Sequence, residues 1–246
     1  MTEKFVNPYS PYPGREIFVG TTPSGKPCFV YLVTGRSPAS RERRAVMQDN
    51  GIIRIMPSDK NAPFDPLRHY IAVKLDEVTG LAVVTNGIQT EAIYEGYRLS
   101  INLNDLDIAE LPELLHSLLS LAGAEPDSYH TPRIAVVVIK GMEMPQAVIG
   151  TIGEQHGTTD DICIPEKDFG WLSVVSTYFG NLDNPRPNIE CPNLFCCKCP
   201  VETPVELANY IFDGSYAEYE GQDIRVCAIA GVFGEGKWGI HIINTR

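Results

Sequence analysis

The sequence of 246 residues lacks several features that would assign it to a class at once. No apolar run reaches the roughly 18–20 residues of a membrane-spanning helix. The N-terminus has no basic stretch followed by an apolar one, so we expect neither a membrane protein nor a secretory signal. Basic residues are scarce, since 20 Lys and Arg stand against 31 Asp and Glu and give a net charge of −11. An acidic chain repels nucleic-acid phosphates, so nucleic acid is not an expected partner.

Cysteine is too sparse for a disulfide framework. The seven cysteines are an odd number, and a reducing cytoplasm is the simplest compartment for them. Four of them fall within Cys191–Cys199, but not as the two C-x2-C pairs of a structural zinc site. The five histidines show no H-x3-H spacing. We therefore predict no metal and interpret the four as reduced cysteines of a loop.

Nucleotide-binding and hydrolase motifs are also missing. There is no P-loop and no G-x-S-x-G elbow. Gly234-x-Gly236-x-x-Gly239 matches the dinucleotide pattern, but no helix has room to follow it before the C-terminus. We interpret it as a hairpin turn.

Strands dominate the part of the pattern that is present. Short runs rich in β-branched residues, with Gly, Pro, Asn or Asp between them, predict ten strands. Several are apolar on both faces, which is typical of strands covered on both sides. They are Glu16–Gly20, Pro27–Thr34, Ile52–Met56, His69–Leu75, Leu81–Thr85, Arg133–Ile139, Ala147–Ile152, Leu172–Tyr178, Arg225–Phe233 and Trp238–Ile243.

Two helices are predicted by apolar spacing and by capping residues. Leucines recur at helical spacing within Asp105–Ala122, where Pro112 marks N1 of the helix. Thr203-Pro204-Val205-Glu206 is a capping box that starts the second helix. Gly180–Val201, rich in Pro, Asn and Cys, is interpreted as a long loop inserted into one domain of residues 1–246. These elements predict an α+β fold of two sheets with helices on their outer faces.

A basic loop follows the second predicted strand. Gly35–Arg44 contains four arginines in an otherwise acidic protein. Guanidinium groups at a strand end suit a phosphate or carboxylate because each donates two parallel hydrogen bonds. We favour Arg36 and Arg41 as anion-binding residues, while the alternative is a solvated helix start.

Two further loops carry polar residues at strand ends. Thr85-Asn86-Gly87-Ile88-Gln89-Thr90-Glu91 follows a predicted strand and reads equally well as a tight turn or as a substrate-binding loop. Arg133, which opens another apolar strand, is a surface cap or a site residue, and the surface cap is favoured.

These blocks, taken in order, resemble the archaeal-type IMP cyclohydrolase family and its bacterial relatives. No single block is decisive, but their order and rough spacing hold over most of the chain, with a weaker similarity at Glu206–Ile211. They are Tyr12-Pro13-Gly14-Arg15, Arg36-Ser37 with Arg41, His69-Tyr70-Ile71-Ala72-Val73-Lys74, Thr85-Asn86-Gly87 with Thr90-Glu91, and Thr131-Pro132-Arg133-Ile134-Ala135.

The resemblance implies a fold and an activity. The family's fold is similar to that of N-terminal-nucleophile hydrolases, a four-layer αββα sandwich with two antiparallel sheets between helical layers. The implied reaction closes 5-formamidoimidazole-4-carboxamide ribotide (FAICAR) to inosine monophosphate (IMP). It needs neither metal nor cofactor, and the implied protein is a cytoplasmic homo-oligomer whose partner is the purine ribotide.

The resemblance also implies residue roles. The catalytic residues would be Arg41, which stabilises an oxyanion, Tyr70, which gives or relays a proton, and Asn86 with Glu91, which orient the base or the amide. The substrate-binding residues would be Arg15, Arg36, Ser37, Thr90, Thr131 and Arg133.

Three departures leave an altered substrate open. About ten residues precede the Tyr12 block, the loop between Arg36 and Arg41 differs from the archaeal form, and the cysteine-rich loop is an elaboration. Two other functions remain as alternatives. One is a nucleotide-binding regulatory relative without turnover. The other is an amidohydrolase whose nucleophile is Thr2, exposed after removal of Met1.

Overall fold

The structure is a computed structural model that describes residues 5, 7, 12–102, 110–140, 146–154, 157–163, 169–188 and 195–245. Thr2 and Cys191 lie outside these residues. Within the described part, no helix is both long and apolar enough to cross a membrane.

β-Strands are the commonest element of the described chain, and every strand pair is antiparallel. In chain order the strands are β1 (Arg15–Thr21), β2 (Pro27–Thr34), β3 (Arg43–Met47), β4 (Ile52–Pro57), β5 (Tyr70–Asp76), β6 (Leu81–Thr85), β7 (Arg133–Ile139), β8 (Gln146–Ile152), β9 (Gly157–Cys163), β10 (Trp171–Ser176), β11 (Tyr178–Gly180), β12 (Pro185–Pro187), β13 (Phe195–Lys198), β14 (Glu218–Tyr219), β15 (Gln222–Asp223), β16 (Arg225–Gly234) and β17 (Lys237–Asn244).

The strands build two large sheets and two small hairpins. The first sheet has six strands in the order β13-β10-β1-β2-β16-β17, and the second has seven in the order β3-β4-β5-β6-β7-β8-β9. The hairpins are β11-β12 and β14-β15. The predicted hairpin turn after β16 is confirmed, because Gly234 pairs with Lys237 and both Glu235 and Gly236 adopt positive φ.

Within the described residues, four α-helices accompany the sheets: α1 (Pro38–Arg41), α2 (Thr90–Asn102), α3 (Leu111–Ala122) and α4 (Pro204–Gly214). Pro112 stands in the first turn of α3, as predicted. The capping box that starts α4 is also confirmed, since Thr203 and Glu206 cap each other reciprocally. Residues 105–109 of the first predicted helix lie outside the described residues.

Three buried apolar clusters pack these sheets and helices against one another. The first draws on both large sheets, for example Tyr31 of β2 and Ile55 of β4. The second joins the six-stranded sheet to Leu207 and Ile211 of α4. The third joins the seven-stranded sheet to α2 and α3, through Tyr97 and others. Each large sheet is thus buried against helices and shares a cluster with the other sheet, as the two-sided apolar strands predict.

Some predicted elements are wrong. Helix α2 was not predicted, and it begins inside the segment interpreted as a tight turn or a substrate-binding loop, because its apolar residues Ile93, Tyr94 and Tyr97 are mixed with charged ones and give no long leucine pattern. Gly180–Val201 is not one loop, since it contains β12 and β13. The predicted strand Leu172–Tyr178 is divided at Thr177, since β10 ends at Ser176 and Tyr178 begins β11, which pairs with β12 in a separate hairpin.

A buried carboxyl group on β1 makes the stability depend on pH. Glu16 is fully buried, with Oε2 accepting a hydrogen bond from Asn7 at 2.8 Å. Burial raises the pKa of Glu16 to about 8, against the lowering effect of the Asn7 hydrogen bond. Its contribution to stability is therefore complete below the pKa of the unfolded chain, near 4.5, and is lost as pH rises towards 8.

We expect Glu16→Gln to raise the melting temperature at pH 8 and to change it little at pH 4.5. Each pH unit between the two pKa values corresponds to about 1.4 kcal/mol, so the gain at pH 8 is on the order of a few kcal/mol. Thermal unfolding of both proteins at the two pH values tests this. An equal difference at both would show that Glu16 does not titrate in this range.

Candidate active site

A cavity of about 600 Å³ lies where several loops and chain segments converge. Its walls come from the segment before β1, the α1 loop, the loop before β5, the loop after α3, and the β14-β15 hairpin. The lining residues are Tyr12, Gly14, Arg15, Thr34, Arg36, Ser37, Pro38, Ser40, Arg43, Asp65, Leu67, Arg68, Glu125, Asp127, Tyr129, Tyr178, Tyr219 and Glu220.

The Tyr12-Pro13-Gly14-Arg15 block forms one wall because Gly14 allows a close approach. Gly14 has a φ of +72°, and a Cβ there would lie 2.4 Å from Thr177 Oγ1 and 2.5 Å from the Tyr178 ring. Only glycine meets both conditions without strain. Gly14 therefore packs the block against Tyr178 and sets the start of β1, which carries Arg15.

An ion pair lies at the buried end of the cavity. Arg15 Nη2 is 2.7 Å from Glu125 Oε2, and the two side chains are 11% and 2% exposed. Glu125 Oε1 accepts a weaker bond of 3.3 Å from Asn86 Nδ2. Burial raises the pKa of Glu125, an effect that the charge and hydrogen bond of Arg15 partly offset. This carboxylate is thus a stronger base than an exposed glutamate.

Two tyrosines lie beside this ion pair. The hydroxyl groups of Tyr31 and Tyr70 are 2.7 Å apart, and both side chains are buried. Burial raises the pKa of Tyr70, while the nearby charges of Arg15 and Arg43 act to lower it. The pair is therefore a protonated hydroxyl relay held next to two guanidinium groups.

Buried guanidinium nitrogens on the cavity wall have no hydrogen-bond partner. Arg15 Nε and Arg43 Nη1 are both buried and unpartnered, although Arg43 Nε donates to Ser40 and Nη2 to Thr34. Unpartnered buried donors are rare in folded proteins because the free energy of desolvating them is not offset by a hydrogen bond. Arg15 and Arg43 both line this cavity, so two cationic side chains with unused donors are available there to a ligand oxygen that carries negative charge.

The other end of the cavity is aromatic. The Arg36 guanidinium lies 5.2 Å from the Tyr12 ring centre and 5.8 Å from that of Tyr129. Tyr178 stacks on Tyr12 with ring centres 5.8 Å apart. Burial raises the pKa of Tyr178 to about 12, so its hydroxyl stays protonated. This end combines flat apolar surface with one half-exposed positive charge.

The remaining predicted residues near the cavity support its walls. Thr131 Oγ1 contacts Asp127 Oδ2 at 2.5 Å and the Tyr178 hydroxyl. Arg133 Nη1 donates to Gln89 Oε1 at 3.1 Å, and Asn86 Oδ1 accepts from the Ile134 backbone at 2.8 Å. Asn86 is wholly occupied by such bonds, so it holds the loop after β6 against β7.

Seven of the ten predicted site residues do not line the large cavity: Tyr70, Asn86, Thr131 and Arg133, described above, and Arg41, Glu91 and Thr90. Arg41 lines a different, smaller cavity. Glu91 is half exposed on α2 and pairs with Lys74 at 2.6 Å. Thr90 is buried at the start of α2, where Oγ1 contacts the Ile71 carbonyl oxygen at 2.5 Å. Of the ten predicted residues, Arg15, Arg36 and Ser37 line the large cavity.

Sequence reasoning missed the acidic residue of the site. Glu125 and Asp127 lie in the loop between α3 and the Thr131-Pro132-Arg133 block, and no motif marks them. The available signal was two carboxylates in a short loop that leads into a strand with Arg133 at its start. Tyr31 was also missed, because a tyrosine inside an apolar strand is indistinguishable from a core residue.

Four cysteines with described side chains form no disulfide: Cys28, Cys197, Cys199 and Cys227. Among the described residues, no group of three or more His, Cys, Asp or Glu side chains is placed to hold a metal ion. Cys191 lies outside those residues, so the prediction that the 191–199 group binds no metal stays a prediction.

Comparison with known proteins gives the family. Residues 12–237 match the family model described as IMP cyclohydrolase-like protein. A protein of Methanococcus aeolicus named IMP cyclohydrolase is 30% identical over 229 residues, which are 93% of this chain and 98% of the relative. One of the same name from Methanocaldococcus jannaschii is 34% identical over 226 residues, 92% of this chain and 96% of the relative. A third, from Methanococcus maripaludis, is 38% identical over 164 residues, 66% of this chain and 74% of the relative. The chain belongs to the IMP cyclohydrolase-like family.

Proposed function

We propose that this protein is an IMP cyclohydrolase, which closes FAICAR to IMP and water. The observation that carries the proposal is the pair of unpartnered guanidinium donors, Arg15 Nε and Arg43 Nη1, on two residues that line the same cavity as the buried Glu125. The family and the name of the relatives that match most of the chain agree with it.

The reaction needs a base, an oxyanion site and an acid. The carboxamide nitrogen of the substrate attacks its formyl carbon, which forms the new C–N bond and places negative charge on the formyl oxygen. The carboxamide nitrogen gives up one proton on attack and the formamido nitrogen gives up the other, and the formyl oxygen leaves as water when the formyl carbon forms its C=N bond to the formamido nitrogen. Holding the two groups of one molecule face to face supplies much of the rate.

Arg15 and Glu125 fit the first two requirements. Glu125 takes the proton of the attacking nitrogen, because burial raises its pKa and makes it a competent base. Arg15 remains cationic beside it, and its free Nε–H points to an oxyanion role. Arg43 Nη1 is a second donor of the same kind.

Tyr70 fits the third requirement. Its raised pKa keeps the hydroxyl protonated, and Tyr31 lies within hydrogen-bond distance to orient that proton or replace it. We assign Tyr70 to protonation of the departing oxygen and Tyr31 to positioning Tyr70. Because both rings are buried and fixed, the two hydroxyl groups are already held at the distance that proton transfer between them requires.

The ribotide's phosphate and base are assigned to the outer part of the cavity. Arg36 and Arg68 are partly exposed cations on its wall, with Ser37 beside Arg36. Guanidinium groups at a solvated rim suit the phosphate because it keeps part of its hydration there. The Tyr12 and Tyr129 rings suit the flat imidazole.

The other predicted residues become positioning residues in this proposal. Asn86 and Arg133 support the loop next to Glu125, and Thr131 fixes the Tyr178 hydroxyl. Arg41 Nη1 donates to the Arg36 carbonyl oxygen and so holds the α1 loop. Thr90 and Glu91 anchor the start of α2 to β5.

An ultraviolet assay of IMP formation from FAICAR, with chelator present, tests the function. We expect turnover under chelation, as the resemblance implies that neither a metal nor a cofactor is needed. Binding of IMP without ring closure would contradict the enzyme and favour a regulatory nucleotide-binding relative. Covalent labelling of Thr2 by a hydroxyl-directed inhibitor that stops activity would instead favour an N-terminal nucleophile.

We also propose that the two large sheets and the helices form one four-layer αββα domain over residues 1–246. The cluster shared by the sheets, and the clusters of each sheet with its own helices, support this arrangement. The free thiols of Cys28 and Cys227 support a reducing, cytoplasmic compartment. A homo-oligomer rests on the resemblance, and β17, an eight-residue edge strand of the six-stranded sheet, is a candidate for strand pairing between copies.

A further inference from the structure

A second, smaller cavity lies on the far side of helix α1. Its volume is about 280 Å³, and it is lined by Arg41, Gln222, Asp223, Arg225 and Thr245. The ring closure proposed above uses none of them at the reacting atoms. Its walls are the end of α1, strand β15, the start of β16 and the last described residues of the chain.

Arg41 brings a positive charge without a counter-ion to this cavity. The residue is 8% exposed, and its Nε is buried and has no hydrogen-bond partner. Among the ion pairs of the described residues, none includes Arg41. A buried charge is costly unless it is paired, so the free Nε–H of Arg41 indicates a missing anion.

The second guanidinium in the cavity is already neutralised. Arg225 Nη2 is 2.7 Å from Asp223 Oδ2, and Nη1 donates to the Phe212 carbonyl oxygen at 2.8 Å. The charged lining groups therefore leave one net positive charge, that of Arg41. The exposed Gln222 amide and the Thr245 hydroxyl add neutral polar groups at the mouth.

We propose that this cavity binds a small oxyanion with about one negative charge, a carboxylate or a phosphate monoanion, through the Arg41 guanidinium. Arginine binds both groups through parallel N–H donors. A nucleotide is excluded by size, because the cavity lies at the lower limit of about 300 Å³ for small-molecule pockets.

The two cavities share two walls. Arg36 lines the large cavity, and its carbonyl oxygen accepts from Nη1 of Arg41, a lining residue of the small one. The β14-β15 hairpin contributes Tyr219 to the large cavity and Gln222 to the small one. An anion at Arg41 competes for the donor that holds Arg36, so it changes the affinity of the large cavity for its ligand. This coupling, unlike the anion site itself, rests on the proposed function.

The side-chain Nε–H signal of Arg41 in a 15N-labelled protein tests the site directly. The signal is assigned with Arg41→Lys, and inorganic phosphate or acetate is then added at constant ionic strength against sodium chloride. We expect the Arg41 signal to shift with a saturable dependence on anion concentration. Gln222→Glu, which places a carboxylate at the mouth, should weaken anion binding at least tenfold. Gln48→Glu, which adds the same charge at an exposed position elsewhere, should leave it unchanged.

A shift with either anion supports the site and identifies the oxyanion class that it prefers. No shift of the Arg41 signal with either, or an equal response in Gln222→Glu, would overturn it. Coupling between the two cavities is measured as the change in IMP affinity when acetate is added. We expect a change of at least threefold in the unmodified protein and no change in Gln222→Glu. If IMP fails to bind while Arg41 still responds, the proposed function fails and the anion site stands.

Discussion

Glu125→Gln is expected to lower the turnover number by about 10²–10⁴-fold, the range for loss of a general base. Glutamine keeps the size of the side chain and an oxygen that accepts from Arg15, but it cannot take a proton. The effect should fall on kcat more than on the affinity for IMP, because the carboxylate lies at the Arg15 end of the cavity and not at the aromatic end.

The pH dependence gives an independent test of the same role. Glu125 acts as a base only when ionised, so activity falls as pH falls through its pKa. Burial raises that pKa against the opposing effect of Arg15, so the acidic limb should lie above the ordinary value of about 4.3. The limb should disappear in Glu125→Gln.

Two matched variants separate the role of Glu125 from a general loss of charge. Glu113→Gln removes an exposed carboxylate from the first turn of α3 and should leave activity unchanged. Glu91→Gln tests the residue that the resemblance selected. Because the ion pair of Glu91 with Lys74 is exposed, we expect a small effect on turnover. A loss of turnover as large as that of Glu125→Gln would show that Glu91 is catalytic. Circular dichroism and the melting temperature of Glu125→Gln check that the variant stays folded although Arg15 has lost its ion-pair partner.

The fold was predictable where local patterns decide it. Pro27–Thr34 and Arg133–Ile139 are apolar runs between turn residues and form strands with those bounds. The α4 capping box lies within four consecutive residues, and all of its partners are local. Helix α2 was not predictable in the same way, because its buried face consists of scattered tyrosines and one isoleucine whose partners come from α3 and the seven-stranded sheet.

The site was only partly predictable for a related reason. Arg15 and Arg36 belong to short blocks with recognisable composition, and they line the large cavity. Glu125, the partner of Arg15, is more than a hundred residues from it in the chain, and the pairing depends on how the loop after α3 meets the start of β1. Arg41 shows the opposite error. It lies in the arginine-rich loop, but the turn of α1 directs its side chain to the smaller cavity.

Tyr70→Phe is expected to lower kcat by about 10²-fold, at the lower end for a proton-transfer group, with IMP affinity changed less than threefold. The ring stays buried and only the hydroxyl is removed, so the free energy of unfolding should fall by only about 1 kcal/mol for the lost hydrogen bond to Tyr31. Equal losses in kcat and in affinity would show that Tyr70 binds the substrate instead of giving up a proton.

Tyr31 provides the control that tests the relay. Tyr31→Phe removes the partner at 2.7 Å but leaves the Tyr70 hydroxyl in place, so it should cost less, about tenfold. If Tyr31 acts only through Tyr70, the double variant should be no slower than Tyr70→Phe alone, because the second substitution removes a partner of a group that is already absent. Multiplicative losses would mean that the two hydroxyl groups act separately, with Tyr31 working through Arg43, whose charge reaches both rings.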